Sequence, residues 1–194
     1  MLTFVAQGLR RMIDQNRTVP IPCLISAESI ARRIQELARQ ISADYAGKRL
    51  LVVGVLKGAW VFMADLLRQL TIPVRCDFVM LSSYGAGTTS SGQITLRLDL
   101  STPAAGQDIL IVEDIIDTGH SMPWLIAHLE KQQPASIRLC ALLDKPSRRQ
   151  VPVRIDYLGF TVPDRFIVGY GIDCAEEHRE LPYVGFLEAK EHHE

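Results

Sequence analysis

Short strands that alternate with helical patterns limit most strongly what this chain can fold into. The predicted strands lie at residues 50–55, 74–81, 109–112 and 136–145. A run that is apolar on both faces, such as residues 50–55, suits a central parallel strand covered by helices on either side. The alternation over residues 26–145 therefore predicts an α/β fold with a mostly parallel central sheet flanked by helices.

The predicted helices between these strands have recognisable ends. Ser26 can cap a helix that reaches about Ile41, and its apolar residues recur on one face. A second helix is predicted over residues 59–70. In the third, Pro123 suits the first turn and Pro134 lies just past the end.

Composition restricts both the size of the protein and its partners. The 194 residues suit one domain, residues 1–194, and the 47% apolar and 22% charged fractions are those of an ordinary globular protein. The formal net charge of −1 gives no bulk positive field, so we expect no nucleic-acid partner and no membrane partner. The cysteines are far apart and form no metal-binding or disulfide pattern, so we expect reduced and mostly buried residues: Cys23, Cys76, Cys140 and Cys174.

The first 25 residues form an extension before the alternating pattern. Apolar residues recur at helical spacing from Leu2 to Ile13, and an arginine pair follows the apolar part rather than preceding it. That order is opposite to a signal peptide, so we expect a helix packed on the main domain and a cytoplasmic protein.

The stretch ILIVEDIIDTGHSM, residues 109–122, combines a loop suited to binding an anion with acidic residues that repel anions. The segment DTGHS, followed by a predicted helix, can offer backbone N–H groups, hydroxyls and a positive helix end to a phosphate. Gly119 allows a tight turn there. Yet Glu113 and Asp114 immediately precede it, and carboxylates repel a phosphate. The ligand must therefore also carry a group that acids bind.

Two such groups fit Glu113 and Asp114. Ionised carboxylates are pure acceptors, and the vicinal diol of a ribose offers two O–H donors. A magnesium ion would also bind them and would offset their charge beside a diphosphate. The simpler alternative is that the two acids only terminate a strand. The phosphate-type loop beside them favours a sugar 5′-phosphate with magnesium.

Several motifs together resemble a known family. IVEDIIDTGHSM is similar to the phosphoribosyl-pyrophosphate motif of type I phosphoribosyltransferases, and VGVLKG and VPDRFIVGYGID resemble those of hypoxanthine-guanine phosphoribosyltransferases. The resemblance covers about residues 26–188. It implies a type I phosphoribosyltransferase fold with a small hood built from terminal segments. It also implies transfer of a phosphoribosyl group from phosphoribosyl pyrophosphate to N9 of a 6-oxopurine, with Mg²⁺ as the cofactor.

The resemblance assigns roles within the central motif. It implies that Glu113 and Asp114 bind the ribose hydroxyls and contribute to the metal site. Asp117 would be the catalytic general base near N7 of the purine. The 5′-phosphate would be held by a continuous segment: Asp117, Thr118, Gly119, His120, Ser121 and Met122. His120 would act there through its backbone.

Further positions are assigned by the same resemblance. Pyrophosphate would be bound by Leu56, Lys57, Gly58 and Arg179. The purine would be bound, within a hood region at residues 150–190, by Phe166, Ile167 and Asp173, together with Lys145 at a strand end. Lys145 is a pure donor, so it favours a 6-oxo group over a 6-amino group. Asp173 would also lie beside magnesium and pyrophosphate.

A Gly/Ser/Thr-rich stretch at residues 82–93 is a predicted lid led by Ser83 and Tyr84, which would exclude water from the reacting centre. The resemblance also implies a homodimer or homotetramer. Two other readings remain open at this point. One is a phosphoribosyl-pyrophosphate-binding regulator of RNA with weak or no transferase activity; the other is a phosphatase that forms an aspartyl-phosphate. The preference of the protein among hypoxanthine, guanine and xanthine as substrates is also open.

Overall fold

A computed structural model describes residues 20–83 and 94–188 of the chain. The predicted N-terminal helix falls within residues 1–19, and Tyr84 and most of the predicted lid fall within residues 84–93, so these predictions lie outside the described residues. No helix among the described residues has the length and hydropathy needed to cross a bilayer.

The larger sheet has six strands, in the order β4-β3-β2-β5-β6-β7. All neighbours pair in parallel except β3 and β4, which are antiparallel at one edge. The strands are β2 (Leu50–Leu56), β3 (Val74–Ser83), β4 (Ile94–Leu98), β5 (Asp108–Ile116), β6 (Ser136–Asp144) and β7 (Tyr157–Thr161). The predicted α/β class with a mostly parallel sheet is confirmed.

Three helices cover both faces of this sheet: α1 (Ala27–Asp44), α2 (Trp60–Gln69) and α3 (Ser121–Glu130). Alternate residues of β2 belong to opposite cores, because successive side chains in a strand point to opposite faces. Leu50 and Val52 pack with α1 and α2, whereas Leu51 and Val53 pack with α3. This two-sided burial explains why the strand sequence is continuously apolar.

Helix α1 forms where the sequence predicts it and ends three residues later than Ile41. The Ser26 hydroxyl accepts a hydrogen bond from the N–H of Ser29 at 3.2 Å, which satisfies one of the free donors at the helix start. The predicted stripe is buried against the sheet: Ile30, Ile34, Leu37, Ala38 and Ile41.

A second, antiparallel sheet of order β1-β9-β8 consists of β1 (Cys23–Ile25), β8 (Phe166–Val168) and β9 (Val184–Leu187). It is the predicted hood built from terminal segments. The Tyr170 hydroxyl, just after β8, donates to Asp65 of α2. Arg179 donates to the carbonyl of Gly171 at 2.8 Å, which fixes the turn that follows β8.

Several details differ from the sequence predictions. Strand β3 continues to Ser83 because it pairs with β4, which was not predicted, so Ser82 and Ser83 of the predicted lid lie in a strand. Strand β5 continues to Ile116 instead of ending at residue 112, since Glu113 and Ile115 still pair with β6. The acids therefore lie within the strand, where tertiary pairing outweighs their low strand preference. The cysteines are free, as expected, but Cys23 and Cys76 are exposed whereas only Cys140 and Cys174 are buried.

Candidate active site

The candidate site lies at the edge where the parallel strands end. The carboxyl ends of β2, β5 and β6 meet there, because parallel strands deliver their ends to the same side of a sheet. They bring three separate parts of the sequence together: the segment after Leu56, the acidic end of β5, and Lys145. Ligands of open α/β sheets bind at this edge.

Glu113 and Asp114 form a close acidic pair at the end of β5. Glu113 is buried, with 8% of its surface exposed, and its carboxylate accepts the N–H of Asp114 at 3.2 Å. Burial, followed by repulsion from the Asp114 carboxylate, raises the pKa of Glu113 well above its usual value. A pair of hydroxyl groups or a cation bound to these carboxylate oxygens would stabilise their negative charge.

The Leu56–Gly58 segment is pressed against this acidic pair. A Cβ on Gly58 would lie 1.8 Å from Oδ2 of Asp114, so a larger residue could be placed there only by moving the carboxylate. The Leu56–Lys57 peptide is cis. The absence of a side chain at residue 58 is thus what allows Lys57 and Asp114 to share one site.

A cavity of about 220 Å³ opens between this segment, the end of β3 and the turn that precedes β9. Its lining contains three cationic and three acidic side chains: Lys57, Arg97, Arg179, Asp114, Asp173 and Glu176. Arg179 Nε is buried and has no hydrogen-bond partner in the described part of the chain. A buried guanidinium donor without an acceptor favours an anionic ligand in this cavity.

Magnesium can be tested against the residues of the cavity. Within residues 20–83 and 94–188, no group of three or more His, Cys, Asp or Glu side chains is arranged to hold a metal ion. Asp114 and Asp173 nevertheless line the same cavity. Mg²⁺ commonly uses one or two carboxylates and completes its octahedron with water and substrate phosphates. The donor set therefore fits magnesium that arrives with a phosphorylated substrate.

The loop from Asp117 to His120 leads directly into α3. Gly119 has φ of +90°, and a Cβ there would lie 2.4 Å from the carbonyl oxygen of Val151. The Thr118 carbonyl accepts the N–H groups of Gln150 and Val151 at 2.9 and 3.1 Å. The loop is thus held from outside by the segment after β6, and the N–H groups at the start of α3 remain available to an anion.

His120 lies on the outer side of this loop. Its side chain is exposed, and its Nε2 is 2.9 Å from the side-chain oxygen of Gln150. Met122, by contrast, is fully buried beneath α3. These placements suit the predicted backbone role of His120 and make Met122 an anchor for the helix start.

Asp117 lies beside Arg148, with 3.2 Å between Oδ1 and the guanidinium Nε. This contact lacks hydrogen-bond alignment, and Oδ1 is buried with no hydrogen-bond donor among the described residues. The Asp117 carboxylate is thus ion-paired with Arg148 without a hydrogen bond to Oδ1 among the described residues.

Charged side chains connect Asp117 with Lys145. Arg148 is 3.7 Å from the Asp164 carboxylate, which is 3.9 Å from the Lys145 ammonium. Lys145 is buried, and its ammonium donates to the Arg165 carbonyl at 2.9 Å. Phe166 follows with 52% of its surface exposed, so its ring is accessible to a ligand.

Comparison with known proteins identifies the family. Residues 25–175 match the phosphoribosyl transferase domain. The chain is 46% identical over 168 residues to a hypoxanthine phosphoribosyltransferase of Haemophilus influenzae, covering 85% of this chain and 94% of that protein. The chain belongs to the hypoxanthine phosphoribosyltransferase family.

The chain is also similar to a longer bifunctional protein and to a protein whose crystal structure has been solved. A bifunctional TilS/HprT protein of Listeria innocua is 47% identical over 84% of this chain, but the chain spans only 25% of that longer protein. A crystal structure of a hypoxanthine-guanine phosphoribosyltransferase from Bacillus anthracis, with HEPES in the active site, superposes with a TM-score of 0.83. It is 43% identical, over 87% of this chain and 100% of that one.

In this member of the hypoxanthine phosphoribosyltransferase family, the predicted residues fall into two neighbouring groups. The cavity collects the predicted pyrophosphate residues and two acids: Leu56, Lys57, Gly58, Arg179, Asp114 and Asp173. Asp173 accepts from Arg179 at 2.8 Å, so its carboxylate lies on the cationic side of the cavity. The second group contains Asp117, Lys145 and Phe166. Ile167 is buried in β8, which is an edge strand of the small sheet.

Sequence reasoning missed four charged residues of this phosphoribosyltransferase site: Arg97, Arg148, Arg149 and Glu176. Arg149 contacts the carbonyls of Ile116 and Asp117 at 3.2 and 3.1 Å and pairs with Asp144. The adjacent arginines after Lys145, in KPSRRQ, were a usable signal because they follow a strand that ends at the site. Arg97 and Glu176 belong to no motif, and only the tertiary structure brings them to the cavity.

Proposed function

We propose that this protein transfers the 5-phosphoribosyl group of phosphoribosyl pyrophosphate to N9 of hypoxanthine or guanine. The products are a 6-oxopurine nucleoside monophosphate and pyrophosphate, which makes the reaction a step of purine salvage. The observation that carries the proposal is the position of Glu113 and Asp114. This acidic pair lies between an anion-binding loop and a cavity with cationic side chains.

Substrate binding follows from this arrangement. Glu113 and Asp114 accept the ribose hydroxyls, while the segment from Asp117 to Met122 surrounds the 5′-phosphate with N–H groups and hydroxyls. The Leu56–Gly58 segment and Arg179 bind the pyrophosphate. Asp114 and Asp173 would hold Mg²⁺, with Glu113 buried behind them. The ion would supply positive charge beside the leaving group.

Catalysis depends on charge that develops during bond cleavage. The sugar becomes cation-like at C1′ and the leaving pyrophosphate becomes more negative, so groups aimed at these changes lower the barrier. Lys57 and Arg179 stabilise the leaving group. Asp117 accepts the proton from N7 of the purine as N9 attacks C1′.

Recognition of the purine involves the second group of residues. The Lys145 ammonium donates to the 6-oxo group, and Phe166 stacks on the base while Ile167 offers backbone groups to its far edge. Asp173 would contribute to purine binding as well as to the metal site. A 6-amino group would face the pure donor Lys145 without a hydrogen bond, so adenine is disfavoured.

Three further parts of the proposal concern the whole protein. Ser83 and Tyr84 lead a lid that closes over the reacting centre. The protein assembles as a homodimer or homotetramer, and it acts in the cytoplasm with its cysteines reduced. Light scattering after size-exclusion chromatography distinguishes the dimer from the tetramer, and either differs from a monomer.

Steady-state kinetics test the reaction. Phosphoribosyl pyrophosphate and Mg²⁺ are supplied with hypoxanthine, guanine, xanthine or adenine, and nucleotide formation is measured. We expect hypoxanthine or guanine to have a kcat/KM about 100-fold or more above that of adenine, because a wrong donor pairing leaves buried groups unpaired. Equal use of adenine would contradict the role of Lys145.

The Asp117→Asn variant tests the general base. Loss of a positioned base typically lowers rates by about 10²- to 10⁴-fold, so we expect a fall in kcat of that size with little change in the KM for phosphoribosyl pyrophosphate. Asp99→Asn, which changes an exposed acid paired with His128, is the matched control and keeps full activity. Full activity in Asp117→Asn would remove Asp117 from this role.

A further inference from the structure

Glu176 forms ion pairs with both Lys57 and Arg179, the two cationic residues that are proposed to bind pyrophosphate. Its carboxylate oxygens each lie 3.0 Å from the Lys57 ammonium, and Oε2 is 3.2 Å from the Arg179 guanidinium. The two cations come from distant parts of the sequence, Lys57 after β2 and Arg179 before β9. One carboxylate therefore bridges the two sides of the cavity.

The backbone around Glu176 aims its side chain at the cavity. Its N–H donates to Asp173 at 2.8 Å, and Cys174 and Glu177 exchange backbone hydrogen bonds at 3.1 Å. Within residues 20–83 and 94–188, the carboxylate forms hydrogen bonds and ion pairs only with Lys57 and Arg179, and its side chain is 65% exposed. The backbone is thus fixed while the side chain can rotate into water without unfolding the turn.

We propose that Glu176 is an internal counter-ion that pyrophosphate displaces from Lys57 and Arg179. This inference rests on the proposed function, which assigns these two residues to the leaving group. While the cavity holds no ligand, the Glu176 carboxylate pairs with Lys57 and, together with Asp173 at 2.8 Å, with Arg179, and this keeps both cationic side chains near their binding positions. When pyrophosphate binds, its oxygens replace the carboxylate, and Glu176 rotates into solvent.

The consequence is discrimination by charge. A ligand must compete with a carboxylate that is already in place, so a weakly charged anion gains little from entering the cavity. Pyrophosphate carries several negative charges and can accept hydrogen bonds from Lys57 and Arg179 at once, so it retains a net gain. The same competition speeds the release of pyrophosphate after the transfer step.

The size of the effect follows from exposure. Lys57 and Glu176 are both more than half exposed, at 54% and 65%, so water screens their attraction. Exposed ion pairs of this kind are weak, and removing the competing charge should change ligand affinity by about three- to tenfold. Glu176 therefore adjusts the affinity of a site that works without it.

Calorimetric titration of the full chain tests the proposal at low ionic strength. Pyrophosphate with Mg²⁺, and separately inorganic phosphate, are titrated into the wild type, Glu176→Gln and Glu180→Gln. Glu180→Gln removes the same charge from the same turn, and its side chain lines a different, mostly apolar groove. We expect Glu176→Gln to bind both anions about three- to tenfold more tightly than the wild type, and Glu180→Gln to match the wild type.

Kinetics provide a second measurement. In Glu176→Gln, product inhibition by pyrophosphate should strengthen by the same factor, and the gain in affinity should shrink in concentrated salt, since screening weakens exposed charges. A purely structural role for Glu176 would change neither quantity. Unchanged or weaker anion binding in Glu176→Gln, compared with Glu180→Gln, overturns the counter-ion proposal.

A Lys57→Met variant separates this result from the proposed function. If the wild type binds pyrophosphate and Lys57→Met loses most of that affinity, the leaving-group site stands, and the Glu176 comparison decides the counter-ion proposal alone. If the wild type does not bind pyrophosphate, or Lys57→Met binds it equally well, the assignment of the leaving-group site is wrong. The counter-ion proposal is then overturned with it.

Discussion

At the scale of single residues, this site depends on positions where a side chain is absent. Gly58 allows Lys57 and Asp114 to approach the same cavity, because any Cβ would meet the Asp114 carboxylate. Gly119 allows the loop from Asp117 to His120 to turn close to the Val151 carbonyl. In both cases a side chain at the glycine position would displace the neighbouring group, which is the Asp114 carboxylate or the Val151 carbonyl.

Replacing Gly119 with alanine tests this requirement. A residue with a Cβ pays about 1–2 kcal/mol in the left-handed region, and here it would also be 2.4 Å from a backbone oxygen. We expect Gly119→Ala to lower the free energy of unfolding by about 2–3 kcal/mol in urea titrations, and to raise the KM for phosphoribosyl pyrophosphate.

Gly106→Ala is the matched control for backbone strain. Gly106 also has positive φ, +68°, but a Cβ there would meet nothing within 4 Å. Its substitution should cost about 1 kcal/mol and leave KM unchanged. Equal losses of stability in the two variants would show that the contact with Val151 adds nothing.

At the scale of elements, the segment after β6 acts as a support for the loop from Asp117 to His120, which is proposed to bind the 5′-phosphate. Arg149 is the main connection, because its partly buried guanidinium contacts two carbonyls at the start of that loop and pairs with Asp144. The side chains of Arg149 and Asp144 are only 18% and 16% exposed, so water screens this pair less than a surface pair. Removing either Arg149 or Asp144 leaves the other residue with a charge that is poorly solvated.

We expect Arg149→Ala to lower the free energy of unfolding by about 2–3 kcal/mol, because it leaves Asp144 and two carbonyls without their donor. The KM for phosphoribosyl pyrophosphate should rise, since Arg149 supports the loop proposed to bind the 5′-phosphate, and kcat should fall as well, because that loop begins with the proposed general base Asp117. Arg154→Ala is the control, with an 89% exposed side chain in the same segment. A kcat effect alone would contradict a supporting role.

Asp77 joins β3 to the segment after β4 in a comparable way. Its carboxylate accepts the N–H groups of Phe78 and Thr102 at 2.8 and 2.7 Å, and both the N–H and the hydroxyl of Ser101. Burial by itself would raise the pKa of Asp77, but these hydrogen bonds outweigh it and the pKa is lowered. The ionised form therefore stabilises the folded state.

The pH dependence of stability should show this. A carboxyl with a lowered folded pKa contributes stability above its unfolded pKa, near 4, and loses it as pH falls through the folded value. Asp77→Asn should cost about 1–3 kcal/mol at pH 7, because an amide cannot accept all these bonds, and this cost should decrease as the pH is lowered below 4. Asp99→Asn, at an exposed acid, should change little across this pH range. A constant difference for Asp77→Asn would contradict the pKa shift.

At the scale of the whole molecule, the proposed substrate connects the two sheets. Glu113 belongs to the large sheet and Arg179 to the segment that leads into the hood, so one ligand would contact both. A ligand that binds only the folded state stabilises it by about 2.7 kcal/mol at 100 times its Kd. Phosphoribosyl pyrophosphate with Mg²⁺ should therefore raise the Tm by several degrees.

Glu113→Gln separates binding from intrinsic stability. Since burial raises the pKa of Glu113, the carboxylate is costly in the folded protein at pH 8, and the amide variant should be at least as stable as the wild type without ligand. It should lose most of the ligand-induced rise in Tm. A variant that kept this rise would exclude Glu113 from the ribose site.

Local pattern accounts for most of the elements and for part of the site. Helix α1 is predicted by its cap and stripe, and the β2 strand by its continuous apolar run. The segment from Glu113 to Met122 is contiguous, so a motif can identify it. The end of β5 could not be placed, because the pairing of Glu113 and Ile115 with β6 is a long-range contact that outweighs local preference.

What the sequence determined by itself is therefore the four strands β2, β3, β5 and β6, the three helices of the large sheet, the central motif and the family it resembles. Each of these is set by side chains close together in the chain. Only the tertiary structure decided that Glu176 bridges Lys57 and Arg179, and that Arg149 supports the loop at Asp117. Such contacts join residues far apart in sequence, and their energies depend on distance, burial and alignment, which exist only once the chain has folded.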